Sequence, residues 1–217
     1  MNIKNNIIKE KLKNVYFIAG TNCGGKTTMA KALSEKYDME YYSADEHYWE
    51  HRKISDAVHQ PNMNRPFYGW EEYFARDKVN QGEWLLRAED EELDFIILDL
   101  IILASKTNKM IVVDIHRAVD LFTNISDFNR VIFLLADVKT VRKQYFGRDD
   151  KNALLECIQR ETNDPEKAIQ NTLDVACYIA EREIELAKAS PFLWHIRDDK
   201  TSFDSRLAMV EKHFKLS

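Results

Sequence analysis

Residues 20–28 read Gly20-Thr21-Asn22-Cys23-Gly24-Gly25-Lys26-Thr27-Thr28, and Gly20, Gly25, Lys26 and Thr27 fall at the spacing G-x-x-x-x-G-K-[ST]. The flanks decide how to read it. Ahead lies "NVYFIAG", whose Val15, Tyr16, Phe17 and Ile18 form a short apolar run expected to be a buried strand. Behind lies "TTMAKALSEKY", with Met29, Ala32 and Leu33 on one helical face. Strand, glycine loop, helix is the context in which such a loop wraps an anion. Glycines let the backbone turn without a Cβ in the way, and the inward N–H groups meet the positive end of the helix dipole. Lys26 is expected to reach β- and γ-phosphates, and Thr27 to ligate Mg²⁺. The alternative is an ordinary strand-to-helix turn.

The rest of the chain reads as a doubly wound α/β domain. "MEYYSAD" (39–45), "KMIVVDIH" (109–116), "RVIFLLAD" (130–137) and "FLWHI" (192–196) are the further strand candidates. The middle two run apolar without alternation, as strands covered on both faces of a parallel sheet do. A helix is expected from about Gly82 to Ser105, its second half "FIILDLIIL" apolar nearly all round, with a strand as the alternative there. Helical pattern returns from Val138 to Ala189, broken at "GRDD" and at "NDP", where Asn163 or Asp164 is placed to cap a new helix, and residues 203–215 make a closing helix. A five-stranded parallel sheet flanked by helices follows, one domain over 1–217, with an acceptor-binding insertion at 46–80 and a lid at about 138–165. Ligands of such sheets gather beyond the C-terminal strand ends, which gathers Thr21–Thr28, Asp45, Asp114 and Asp137 on one edge.

Composition bounds the function. At 217 residues, with 45% hydrophobic and 31% charged residues, the chain is ordinary for a globular protein. The net charge of −5 gives no support for nucleic-acid binding. The N-terminal "MNIKNNIIKEKLKN" lacks the apolar core of a signal peptide and reads as an amphipathic or frayed lead-in, and the nine residues of "FIILDLIIL" are too few to span a bilayer. Cys23, Cys157 and Cys177 are too scattered for a disulfide framework, which fits a reduced cytoplasmic setting. A monomer or homodimer is expected, with no membrane or nucleic-acid partner.

Particular side chains then acquire roles. Asp114 ends an "hhhhD" run of the Walker B form, suited to the Mg²⁺ site, although solvent-facing carboxylates at strand ends are common. Asp45 ends the second strand, where it can hold and deprotonate an acceptor hydroxyl, with a helix N-cap as the alternative and Glu46 as a weaker substitute. Arg142 and Arg148 flank a glycine hinge at Gly147 and are lid candidates for offsetting charge on the transferred phosphate. His47 and His51 share a helical face but lack a third zinc ligand, so they read as acceptor-site or surface residues. The aromatics between Tyr41 and Phe74 divide between core and pocket wall.

With "FIAGTNCGGKTTMAKALSEKY", "YYSAD", "MIVVD", "VIFLLAD" and "VRKQYFGR" in that order, the chain resembles the P-loop small-molecule kinases, the group containing shikimate kinase, gluconate kinase, chloramphenicol phosphotransferase and the nucleoside monophosphate kinases. The resemblance implies ATP phosphates on Gly20–Thr28, Mg²⁺ on Thr27, an acceptor hydroxyl on Asp45 and lid arginines at Arg142 and Arg148. It departs from shikimate kinase after the third strand, where Ile115 and His116 replace a glycine-rich stretch. The expected activity is ATP- and Mg-dependent transfer of the γ-phosphoryl group to a hydroxyl of a small molecule. The alternatives are a nucleoside monophosphate kinase, for which Arg65 or Arg76 is the first arginine to test, and a P-loop ATPase switch.

Overall fold

The computed structural model describes residues 3–148, 151–198 and 200–216. In chain order the elements are α1 (Asn5–Lys11), β1 (Val15–Ala19), α2 (Lys26–Tyr37), β2 (Glu40–Ser43), α3 (Ala44–Ile54), α4 (Trp70–Ala75), α5 (Lys78–Lys106), β3 (Ile111–Asp114), α6 (Val119–Ile125), β4 (Val131–Leu135), α7 (Val138–Gln144), α8 (Asn152–Glu161), α9 (Pro165–Ala189), β5 (Leu193–Ile196) and α10 (Phe203–Phe214). The five strands form one sheet in the order β2-β3-β1-β4-β5, every neighbouring pair parallel. With a glycine loop joining the central strand to α2, this is the P-loop nucleoside triphosphate hydrolase fold.

Both faces of the sheet are covered, which explains the unbroken apolar runs of β3 and β4, buried at every position. On one face Phe17, Val113 and Phe133 pack with Leu100 of α5 and Phe122 of α6. On the other, Ile18, Val112 and Ile132 pack with Met29 and Leu33 of α2 and Phe214 of α10. The lead-in to β1 is a short helix whose Ile8 packs on the first of these layers.

"FIILDLIIL" is helical, as its place inside a longer periodic stretch favours. It is not apolar to its neighbours all round. Ile96, Ile97 and Leu100 face the core, whereas Leu98 is 54% and Ile102 41% exposed. Asp77 caps α5 by accepting from the N–H groups of Val79 and Asn80, and Asp164 caps α9 through Lys167 N–H with Pro165 in its first turn. Asp137 stands just beyond the C-terminal end of β4, on the expected edge, and there it caps α7 by accepting from Thr140 N–H. Of the "GRDD" interruption, Asp149 and Asp150 lie outside the described residues.

Register sets the functional edge. Ser43 pairs with Asp114, Asp114 with Ile18, and Ile18 with Ile132, so one rung crosses four strands. Two residues beyond that rung stand Gly20, Asp45 and His116, side by side at the C-terminal end of the sheet.

Candidate active site

The loop from Gly20 to Gly25 takes the shape its sequence predicts. Gly20 has φ +123°, Gly25 φ +91°, and Cys23 sits in the left-handed region at φ +63°. A Cβ on Gly20 or on Gly24 would stand 2.2 Å from the carbonyl oxygen of Leu134, so the loop lies directly on β4. Thr21, fully buried, accepts a hydrogen bond from Ala136 N–H at 2.7 Å and ties the loop to the end of that strand. Lys26 folds back and donates to the Thr21 carbonyl at 3.2 Å. Thr27 opens α2 and donates its hydroxyl to Asp114 Oδ2. A hydroxyl and a carboxylate oxygen in contact beside a lysine and loop N–H groups are hard donors suited to Mg²⁺. Arg148 donates to Asn22 Oδ1 at 3.0 Å and Arg197 to the Cys23 carbonyl at 3.2 Å, bringing two more cations to the loop.

Opposite the loop, Asp45 lies in the first turn of α3, one position inside the helix, and Ser43 takes the N-cap position in its place. Its carboxylate is 69% exposed, and Oδ1 accepts from His116 Nε2 at 2.7 Å. The charge of His116 holds the Asp45 carboxyl below the usual carboxylate range, against a smaller opposing effect of burial. Burial by itself would lower the pKa of His116, but the charges of Glu89 and Asp45 outweigh it and raise the imidazole to about 10. Glu89 of α5 and Glu183 of α9 stand behind the histidine. Burial pushes both carboxyls up, Glu183 to about 7.

The loop and Asp45 face one cavity of about 1060 Å³. Lys26, Lys31, Arg148, Lys151 and Arg197 line it together with Asp45, Glu46, Glu89 and Glu92. Tyr48, Trp49, Leu85, Ala88 and Ile179 supply apolar wall. Of the aromatic segment, then, Tyr48 and Trp49 face the cavity, whereas Tyr42 and Phe74 are buried core and Tyr68 is exposed.

Some expected residues lie elsewhere. Arg142 does not line the cavity; it pairs with Asp174 of α9, because α7 turns that side chain toward the helix packed beside it. His51 is 4% exposed and bridges Glu92 (2.7 Å) and Asp99 (3.0 Å), while Tyr42 donates to Asp99 at 3.1 Å. His47 stacks on Tyr42 with ring centroids 4.4 Å apart. Neither histidine lines the cavity: His51 belongs to a buried polar network between α3 and α5, whereas His47 is partly exposed, as one of the two sequence readings has it. Arg65 and Arg76 line a separate surface pocket of about 530 Å³, both over the Trp84 ring, and Arg76 pairs with Glu72. His116, Glu89, Glu183 and Arg197 were not singled out as site residues in the sequence. The available signal was His116, two residues past the Asp that ends β3.

No protein-family model and no curated protein matches the sequence. Among solved structures the chain is similar to a shikimate kinase from Acinetobacter baumannii in complex with shikimate, at 13% identity and TM-score 0.41, covering 98% of this chain and 96% of that one. It is similar also to a shikimate kinase from Bacteroides thetaiotaomicron, at 12% identity and TM-score 0.45, covering 93% and 96%. At these values the likeness adds nothing to what the strand order and the loop establish.

Proposed function

We propose that the protein is an ATP- and Mg-dependent phosphotransferase that moves a γ-phosphoryl group to a hydroxyl of a small molecule. The observation that carries this reading is Asp45, its carboxylate exposed and bonded to His116, facing the same cavity as Lys26 and Thr27.

Mg²⁺-ATP supplies the transferable phosphoryl group. Gly20–Thr28 bind its phosphates, with Thr27 and Asp114 at the ion. Lys26 and Arg148 offset charge that builds during transfer. Asp45 accepts the hydrogen bond of the acceptor hydroxyl and aims it at phosphorus. A carboxylate held below its usual range is a weak base, and this suits a loose transition state in which the nucleophile is oriented first and loses its proton late. Tyr48 and Trp49 offer flat apolar contact to an organic acceptor.

The nucleoside monophosphate variant needs arginines around an acceptor phosphate, and Arg65 and Arg76 are committed to Trp84 and Glu72 outside the cavity. No observation favours an ATPase switch. Cys23, Cys157 and Cys177 are free thiols, which fits a reduced, cytoplasmic setting for the reaction. Among the described residues no helix is long and apolar enough to cross a membrane.

Phosphorus NMR of the protein with Mg²⁺-ATP and pooled hydroxyl compounds tests the reading. The pool holds shikimate, sugar acids, nucleosides, nucleoside monophosphates and hydroxylated antibiotics. A new phosphoester signal together with ADP is the expected result, and splitting the pool names the acceptor. ADP with inorganic phosphate alone refutes acceptor phosphorylation and moves the protein to the ATPases.

A further inference from the structure

Behind Asp45 lies a group of side chains that phosphoryl transfer does not use. Glu89 on α5, Glu183 on α9 and His116 after β3 each bring a donor atom to within 4.8 Å of the others. Glu183 is 1% exposed, yet neither of its carboxylate oxygens has a hydrogen-bond partner among the described residues. Glu89 Oε2 is buried and likewise without a partner. His116 spends Nε2 on Asp45, while Nδ1 faces Glu89 Oε1 at 3.8 Å, beyond hydrogen-bond reach. Arg117 spends Nη2 on the Leu86 carbonyl and Asp90, and its buried Nε has no partner among the described residues either, so its charge acts on both glutamates without a hydrogen bond to them. Three orphaned carboxylate oxygens and one imidazole nitrogen thus converge at the floor of the cavity, Glu183 fully buried and Glu89 and His116 partly exposed. Buried polar atoms are rarely left unpaired, and a convergent set of them calls for an ion or water at its centre.

The geometry points to a divalent metal site at Glu89, His116 Nδ1 and Glu183, separate from the Mg²⁺ site of Thr27 and Asp114. Two carboxylates offset the charge of a divalent ion, which a ring of backbone carbonyls would not. One imidazole with two carboxylates favours Mn²⁺, Fe²⁺, Co²⁺ or Zn²⁺ over Mg²⁺ or Ca²⁺. Donors about 2.1 Å from one ion lie at most about 4.2 Å apart, so an inward side-chain shift of about an ångström closes the site. The second shell is already built: a metal-bound histidine donates its other N–H to a carboxylate, and His116 donates Nε2–H to Asp45. Binding releases the Nδ1 proton of the charged imidazole, and the ion takes over that positive charge beside Asp45; on the function proposed above, it would fix the His116 tautomer and thereby the orientation of Asp45. Binding itself does not depend on that function.

The test uses the full chain, stripped by chelator and studied without nucleotide. Mn²⁺ is titrated with the free-ion paramagnetic resonance signal as readout, and Zn²⁺ by calorimetry. Wild type and Thr27→Ala are expected to take up one ion per chain. Glu183→Gln is expected to weaken binding by at least about 100-fold, the upper end of what losing an outer partner alone costs. Glu89→Gln provides a second variant should Glu183→Gln not fold, as judged by circular dichroism. No uptake by wild type overturns the proposal and leaves a proton shared between the two glutamates as the occupant. Uptake that survives in both glutamine variants, or that vanishes in Thr27→Ala alone, overturns it as well, since the ion then sits elsewhere.

Discussion

Asp45→Asn separates charge from geometry more cleanly than any other substitution in the cavity. Asparagine keeps the volume and the acceptor oxygen that takes the 2.7 Å hydrogen bond from His116, so the side chain stays in place and only the negative charge is lost. A positioned acid–base group contributes about 10²- to 10⁴-fold. This corresponds to roughly 3–5 kcal/mol on the barrier at about 1.4 kcal/mol per decade. The expected result is a fall of that size in kcat for phosphotransfer, with KM for ATP unchanged because the phosphate loop is untouched. His116→Gln acts through the same carboxylate, so the double variant should be no slower than Asp45→Asn alone, a non-additivity of the kind that residues in contact show. A coupled assay of ADP release against acceptor concentration gives both constants. The reasoning is refuted if Asp45→Asn keeps more than about a tenth of wild-type kcat, or if the whole loss lies in KM for ATP.

Three further outcomes follow from the same geometry. Lys26→Ala should abolish turnover, and retained ADP formation would remove Lys26 from the transfer. Gly24→Ala places a Cβ 2.2 Å from the Leu134 carbonyl oxygen, a main-chain atom that cannot swing aside, and should cost about 1–3 kcal/mol in chemical unfolding; weaker nucleotide binding should accompany it, and an unchanged midpoint would mean that the loop does not rest on β4. His116 is raised from 6.5 to about 10 in the folded protein, so its contribution to stability is full below pH 6.5 and lost as pH climbs through 10. Asp45 is lowered, so its contribution is present above its ordinary value of 3.8 and lost on acidification. Urea midpoints should therefore decline between pH 6.5 and 10 in wild type and decline less in His116→Gln, and equal slopes would refute the pairing.

What the sequence revealed and what it hid divide along contact distance. The glycine loop was legible because strand, glycines, lysine and threonine are contiguous, and β3 and β4 because a strand covered on both faces must be apolar throughout. Helix spacing put His47 and His51 on one face, but it gave no hint that Glu92 and Asp99, 41 and 48 residues beyond His51, enclose that histidine. Arg142 and Arg148 looked alike as cations after β4. Only the turn of α7 against α9 shows that Arg142 goes to Asp174 while Arg148 reaches the loop. His116 stood out only as a departure from a glycine-rich stretch, and its role was hidden for the same reason. Its partner Asp45 lies 71 residues away, and nothing short of the β2-β3 pairing brings the two together.

That pairing accounts for how a carboxylate can serve in an acidic corner. Asp45 shares the cavity with Glu46, Glu89 and Glu92, and like charges at close range disfavour ionisation. An acceptor hydroxyl needs an ionised partner there. The phosphate-loop lysine lowers Asp45 too, but less than His116 does. The imidazole meets the need because it stands between the groups, bonded to Asp45 on one nitrogen and facing Glu89 with the other. Its place follows from register: two residues past Asp114 on β3 is the position beside two residues past Ser43 on β2. A glycine in that place would leave Asp45 with only the distant lysines to hold its charge. On the proposed function, the histidine at the end of β3 is therefore the residue that lets one sheet edge carry a cationic phosphate end and an anionic acceptor end a few side chains apart.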